Sequence, residues 1–277
     1  MTEITGEIAF VDSESILVQW KFTGIWLSFG IRRTISLASR AIRKIRSDGL
    51  IESLKYTREW ISENYHEWRL GIESAEYVQA RDLGIDGVDY APADYRSLTT
   101  ALRGLDISPA RDVFLDYGSG KGRVVVMAAT YPFRRVIGVE LSEQLNAIAR
   151  KNIQRAARKL RCNEIEIITA DASTYRVPDD VTVVFLNIGG RILAAVLERL
   201  NESMAKSPRK ITILFKYPRW VDNLLGQCDW LTVRREIPCY SEFGERFLVY
   251  ETTATRFKSL PRIVGSKPIP SSSSLRE

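Results

Sequence analysis

Val113-Phe-Leu-Asp-Tyr-Gly-Ser-Gly-Lys-Gly-Arg123 is an apolar run that ends in an acid, passes through glycines at 118, 120 and 122, and enters a second apolar segment at Val124. A buried strand followed by a glycine corner and a helix is the form of a nucleotide-binding turn, because glycine lets backbone bend sharply and approach a ligand without a Cβ in the way. Spacing separates the possible ligands. A P-loop needs a glycine five positions before Gly120-Lys121 and a hydroxyl after it, where this chain has Leu115 and Gly122. A dinucleotide fingerprint needs a third glycine at 123 or 125, where the chain has Arg123 and Val125. What remains is Asp-x-Gly-x-Gly-x-Gly, with Asp116 placed where it would repel a pyrophosphate and attract a cationic or hydroxylated group.

Outward from this turn, short apolar runs alternate with helical ones. Strands are expected at 113–116, 135–140, 164–169, 181–187 and 210–216, and helices at 122–130, 142–160 and 191–205, with a short one near 220–225. A closing hairpin is expected over 230–237 and 246–252. The pattern predicts an α/β protein: a Rossmann-like, mainly parallel sheet with a C-terminal antiparallel hairpin and an N-terminal helical extension. Ligand then belongs at the carboxyl ends of the strands. Glu140 ends the second strand 24 residues after Asp116, where the ribose-binding acid of a βαβ unit falls, and Asp171 follows the third, within reach of a purine amine. Three strand-end acids beside one glycine loop describe a nucleoside pocket with an added positive centre.

This combination resembles the class I S-adenosylmethionine-dependent methyltransferases over roughly residues 90–252. The wording of 116–123 and 134–142 is similar to a bacterial group distantly related to the nucleosomal-lysine methyltransferases that lack the SET fold. The resemblance implies S-adenosyl-L-methionine as cofactor. Asp116 and the loop Gly118, Ser119, Gly120 and Gly122 would hold its methionine part, Glu140 with Leu141 its ribose, and Asp171 with Ala172 its adenine. Tyr90-Ala-Pro92 matches a Tyr-Pro loop that precedes the glycine motif in those relatives, which puts Tyr90 among the expected cofactor-binding residues. Asn187 matches the asparagine that closes the fourth strand beside the transferred methyl and is the expected catalytic residue. The family follows this asparagine with proline or an aromatic residue, whereas here Ile188-Gly-Gly190 follows.

The remaining chain adds an expected N-terminal accessory region at 1–89, the methyltransferase domain at 90–256 and a disordered Pro/Ser tail at 257–277. Residues 32–46 read as a basic amphipathic helix, either a packing helix with a solvated cationic face or an arm touching membrane surface, RNA or an acidic protein. Residues 51–70 read as a helix whose Trp60, Tyr65 and Trp68 belong to the core, and 71–94 as a loop leading into a helix at 95–105. Lys121 and Arg123 are expected on a solvent-facing first turn, the six cations of 150–161 on a solvated helix face, Tyr217 in the acceptor pocket and His66 as a packing or surface residue. The apolar run 16–31 is interrupted and short for a bilayer, so no transmembrane span is expected. The acidic N-terminus and three scattered cysteines point to a cytoplasmic, reducing location.

A formal charge of +6 permits anionic partners without requiring them. A lone histidine and no Cys-His cluster exclude a zinc centre or a His-centred triad. With no evident base for a hydroxyl acceptor, N-methylation of a protein or small molecule is the expected reaction, RNA methylation the alternative, and an inactive methyltransferase-like scaffold the third reading.

Overall fold

The computed structural model describes residues 8–10, 16–18, 21–22, 25–26, 57–58, 60–84, 89–218, 224–239 and 245–253. The expectations for 32–46, the 51–56 part of the helix, 220–223 and the tail lie outside these residues. The chain divides into two compact units, residues 1–61 and 62–277. The first contains two small antiparallel pairs: β1 (Ile8–Phe10) with β2 (Ile16–Val18), and β3 (Lys21–Phe22) with β4 (Ile25–Trp26).

Helical residues 60–70 (α1) lead into the second unit, followed by a strap whose described residues, 71–84 and 89–94, hold a 3₁₀ turn, Ala80–Leu83, and an isolated bridge between Val78 and Tyr90. Helix α2 (Tyr95–Arg103) starts where the Asp94 side chain accepts the Ser97 N–H at 2.8 Å, which satisfies one of the orphan donors of its first turn.

The elements that follow are β5 (Val113–Tyr117), α3 (Arg123–Ala129), β6 (Arg135–Glu140), α4 (Glu143–Ala156), β7 (Ile165–Thr169), β8 (Val181–Leu186), α5 (Gly190–Lys206), β9 (Thr212–Pro218), β10 (Leu231–Ile237) and β11 (Glu245–Thr252). They build one seven-stranded sheet in the order β10-β11-β9-β8-β5-β6-β7. Five strands run parallel, and β11 inserts antiparallel between β9 and β10. This is the expected Rossmann-like sheet with its closing hairpin. The short helix expected near 220–225 is represented among the described residues by a 3₁₀ turn at Leu224–Gln227.

Both faces of the sheet are covered, so β5 is buried at all five positions. On one face Phe114, Phe185, Leu214 and Phe247 pack with residues of α2 and α3; on the other Leu115, Val184, Leu186 and Ile213 pack against Leu193, Leu197 and Leu200 of α5. The chain builds outward from β5 through β6 to β7, then returns to β8 on the opposite side of β5. The carboxyl ends of β5 and β8 therefore diverge at a topological switch point, which leaves a crevice there.

Candidate functional site

Asp116 and Tyr117 pair in register with Phe185 and Leu186, so Asn187 leaves β8 beside the glycine loop that leaves β5. Gly118, Gly120 and Gly122 all have positive φ, at 76°, 52° and 78°. Two of them are also bound by space. A Cβ on Gly120 would overlap the Tyr90 ring, and one on Gly122 would come within 2.8 Å of Ala149 Cβ in α4. The loop is pinned to β6, where the Val139 carbonyl accepts the N–H groups of Gly118 at 2.8 Å and Ser119 at 3.0 Å.

Asp116 is 1% exposed and its Oδ2 is buried without a hydrogen-bond partner, as is Oγ of Ser119. Burial, and secondarily the charge of Glu140, lift the Asp116 carboxyl well above its ordinary range. A buried polar group without a partner costs free energy, so two such atoms on residues that line one cleft mark where an outside partner fits. Glu140, half-buried, accepts the Gly120 N–H at 3.0 Å through one oxygen and the Ser142 N–H at 2.9 Å through the other. Each oxygen keeps a second lone pair for an added donor.

Asp171 is exposed and its Oδ1 accepts both the N–H and the hydroxyl of Ser173, at 2.8 and 2.7 Å. Ala172 is half-buried, packed at the edge of the α5-side core, and Leu141 is 43% exposed. Asn187 donates from Nδ2 to the Ala91 carbonyl at 3.4 Å, which ties the end of β8 to the 90–92 segment. Tyr90, Ala91, Pro92, Asp116, Ser119, Phe185 and Asn187 line one cleft. Ile188, where the family sequence departs, packs toward Gly118, within 3.2 Å of the Cβ that Gly118 lacks.

Tyr90 is held by its own hydroxyl, which donates to the Ser74 carbonyl at 2.8 Å, and its ring lies 5.5 Å from the Lys121 ammonium. Lys121 and Arg123 correct the expectation of a solvent-facing turn: they are 4% and 2% exposed. The Lys121 Nζ donates to the Glu76 carbonyl at 3.0 Å. The Arg123 guanidinium donates to Glu63, Glu67, Ser74 Oγ and the Ala93 carbonyl and stacks 4.2 Å over the Tyr95 ring. Both cations point back from the glycine loop into the strap and α1, where carboxylates and carbonyls replace the water they would otherwise need. A single sequence shows that Glu63 and Glu67 are four apart on a helix, and so on one face; which partner they serve is visible only in the fold.

His66 stacks on Tyr95 with ring centroids 4.7 Å apart, a packing residue whose pKa is lowered by burial and by nearby arginines. The aromatic stripe of α1 is not core as expected: Trp60, Tyr65 and Trp68 are 40%, 53% and 78% exposed, because the helix buries its acidic face against Arg123 instead. The side chain of Tyr217 lies outside the described residues. No group of His, Cys, Asp and Glu that could hold a metal is found among the described residues, and no helix among them is long and apolar enough to cross a membrane.

Residues 114–206 match the family described as a methyltransferase domain. Among solved structures, the chain is similar to an RNA methyltransferase from Salinibacter ruber in complex with S-adenosyl-L-homocysteine, with 21% identity and a TM-score of 0.45 over 62% of this chain and 99% of that one. It is also similar to a magnesium protoporphyrin IX methyltransferase from Synechocystis with bound S-adenosylmethionine, with 14% identity and a TM-score of 0.46 over 72% and 97% of the two chains. A comparison with curated proteins finds no match.

Proposed function

We propose that the chain is an S-adenosylmethionine-dependent methyltransferase acting on an amine nitrogen. The observation that carries this reading is the buried, unpartnered carboxylate oxygen of Asp116 beside the positive-φ loop 118–122. A site for a phosphorylated nucleotide would place free backbone N–H groups and a free cation there, whereas here the N–H groups of Gly118 and Ser119 are spent on Val139, and Lys121 and Arg123, the latter at the cleft wall, are engaged by the strap and α1. What the loop offers is an acid and a hydroxyl, which suit an ammonium and a sulfonium.

The residues fit the cofactor part by part. Asp116 and Ser119 would take the ammonium and carboxylate end, Glu140 the ribose hydroxyls through its spare lone pairs, and Asp171 with Ala172 the adenine edge. Leu141 would cover the ribose flank. When bound, S-adenosylmethionine supplies an electrophilic methyl on a positively charged sulfur.

The chain's own residues bind, orient and dry the reacting pair. Tyr90, held by Ser74, and Phe185, 1% exposed, exclude water from the cleft. Asn187 has its Nδ2 committed to Ala91, so its Oδ1 is presented as acceptor for an N–H of the incoming amine. An amine that arrives neutral needs no base in the displacement, and alignment supplies most of the acceleration. The amines such a site could take include a lysine side chain, a small molecule and an exocyclic amine of an RNA base.

Calorimetric titration with S-adenosylmethionine and S-adenosylhomocysteine, with NAD and ATP as controls, tests the reading. Saturable binding of the first pair alone is expected; binding of ATP or NAD in preference would overturn it.

A further inference from the structure

Because α1 turns Glu63 and Glu67 inward to Arg123, its other face is left open. Tyr65 and Trp68 stand on it 53% and 78% exposed, with ring centroids 6.3 Å apart at 42°. Isolated surface aromatics are ordinary, but two in contact form a continuous π surface that water solvates poorly. Arg69 follows Trp68 directly in the chain. The end of α1 meets the 3₁₀ turn Ala157–Lys159 that follows α4, where Lys159 Nζ donates to the Arg69 carbonyl. Arg69, Arg158, Lys159 and Arg161 are all exposed, and none has an acidic partner among the described residues. Arg155 is the neighbour that does, paired with Glu73 at 2.9 Å.

We propose that this face binds single-stranded RNA, with bases stacked on Tyr65 and Trp68 and phosphates on Arg69, Arg158, Lys159 and Arg161. Aromatic platforms inside a cationic surface are how proteins hold unpaired strands, since every base has a π face and every nucleotide a charge. A duplex hides its base faces from such rings, and an acidic peptide offers charge with no regular series of rings. Unpaired RNA loops and ends present both.

Asn152 of α4, fully buried, donates to the carbonyls of Glu73 and Lys121, at 3.1 and 2.9 Å, and so ties the strap that follows α1 to the glycine loop from inside. That the bound strand also carries the methylated amine rests on the methyltransferase reading; binding to this face does not.

Fluorescence anisotropy of the full chain with a labelled single-stranded RNA of about 15 nucleotides tests the proposal. Matched duplex RNA, single-stranded DNA, a poly-glutamate peptide and anionic vesicles serve as competitors. Unpaired RNA should bind in preference to duplex, peptide and vesicles. Trp68→Ala and Tyr65→Ala should each weaken it at least about fivefold. Replacing Arg158 and Lys159 together by alanine should flatten the dependence of log K on log salt by about 1.4.

Melting curves and cofactor titration on the same variants report whether they are folded. No RNA binding by the wild-type chain at low salt overturns the proposal, as does binding that folded Trp68→Ala and Tyr65→Ala variants retain in full. Peptide or vesicle binding with the aromatic dependence expected of RNA also overturns it. Failure of the wild-type chain to bind S-adenosylmethionine, with RNA binding and its aromatic dependence intact, sinks the methyltransferase reading and leaves this surface standing.

Discussion

The guanidinium of Arg123, one residue past the last glycine of the loop, donates to Glu63 at 2.5 Å across 60 residues of sequence. Burial raises the Glu63 carboxyl above its ordinary range even with this cation beside it, so desolvation outweighs the attraction. Such a pair does little net work against an apolar substitute, yet removing one member leaves an uncompensated buried charge. Arg123→Ala is therefore expected to cost about 3–5 kcal/mol in urea unfolding. Arg123→Met combined with Glu63→Gln and Glu67→Gln should recover much of that loss. A single-variant cost below about 1 kcal/mol would show that the network is solvated, as surface pairs are.

Asp116 sets stability against function. Its pKa in the folded chain is raised above the ordinary 3.8, so the native state holds a proton that the unfolded state releases. The stability this group contributes is fully present below about 3.8 and is lost as pH rises through the folded value. Asp116→Asn should thus raise the melting temperature of the ligand-free protein near neutral pH, and the gain should vanish in acid. The same change should weaken S-adenosylmethionine by about 10- to 150-fold, the worth of a hydrogen bond to a charged group at ~1.5–3 kcal/mol. A variant that melts lower at pH 7 and binds as well as wild type contradicts both halves.

Gly120 carries two separable constraints, a φ of 52° and the Tyr90 ring lying where a Cβ would go. Gly120→Ala should therefore lower stability by more than the ~1–2 kcal/mol of left-handed backbone alone. Adding Tyr90→Ala should remove the overlap and leave the backbone part. Differential scanning calorimetry of the two single variants and the double variant measures the coupling, and strict additivity would mean that the ring is not what Gly120 makes room for.

The sheet was legible in the sequence because each strand is a short apolar run between turn residues, and the periods of β5 to β9 do not compete with helix. The positions of Asp116, Glu140 and Asn187 follow from it, since a strand-end residue in a parallel sheet has one place to be. Lys121 and Arg123 were misread because local pattern assigns a charged first turn to solvent. Their partners Glu76, Glu63 and Glu67 lie 45 to 60 residues away and are supplied by tertiary packing. The stripe Tyr65 and Trp68 was misread for the complementary reason: hydrophobic spacing marks a helix face, but α1 buries the acids that meet Arg123 and leaves its rings outside.

Asn187 separates acceptor positioning from cofactor binding. Its amide nitrogen is fixed on Ala91 at 3.4 Å, and its oxygen is the one acceptor it has for an incoming amine. Asn187→Ala removes both contacts, so the amine loses its alignment and the 90–92 segment loses an anchor. The expected result is a fall in kcat of about 100-fold, the scale on which a misplacement of about 1 Å acts. Cofactor affinity should fall far less than kcat, because Asp116 and Glu140 make no hydrogen bond to this residue and the loop is reached only through the Tyr90 ring on Gly120.

Asn187→Asp gives the sharper readout. It keeps the acceptor oxygen and loses the donor to Ala91, placing a negative charge in the cleft beside the buried Asp116 carboxyl. If orientation of the amine is the role of Asn187, the aspartate variant should retain more activity than alanine and bind the cationic cofactor at least as tightly as wild type. Calorimetric titration beside single-turnover methyl transfer measures the two effects separately. Equal loss in both variants, with cofactor affinity falling in step, would place Asn187 with the cofactor and leave the amine to be aligned by another group.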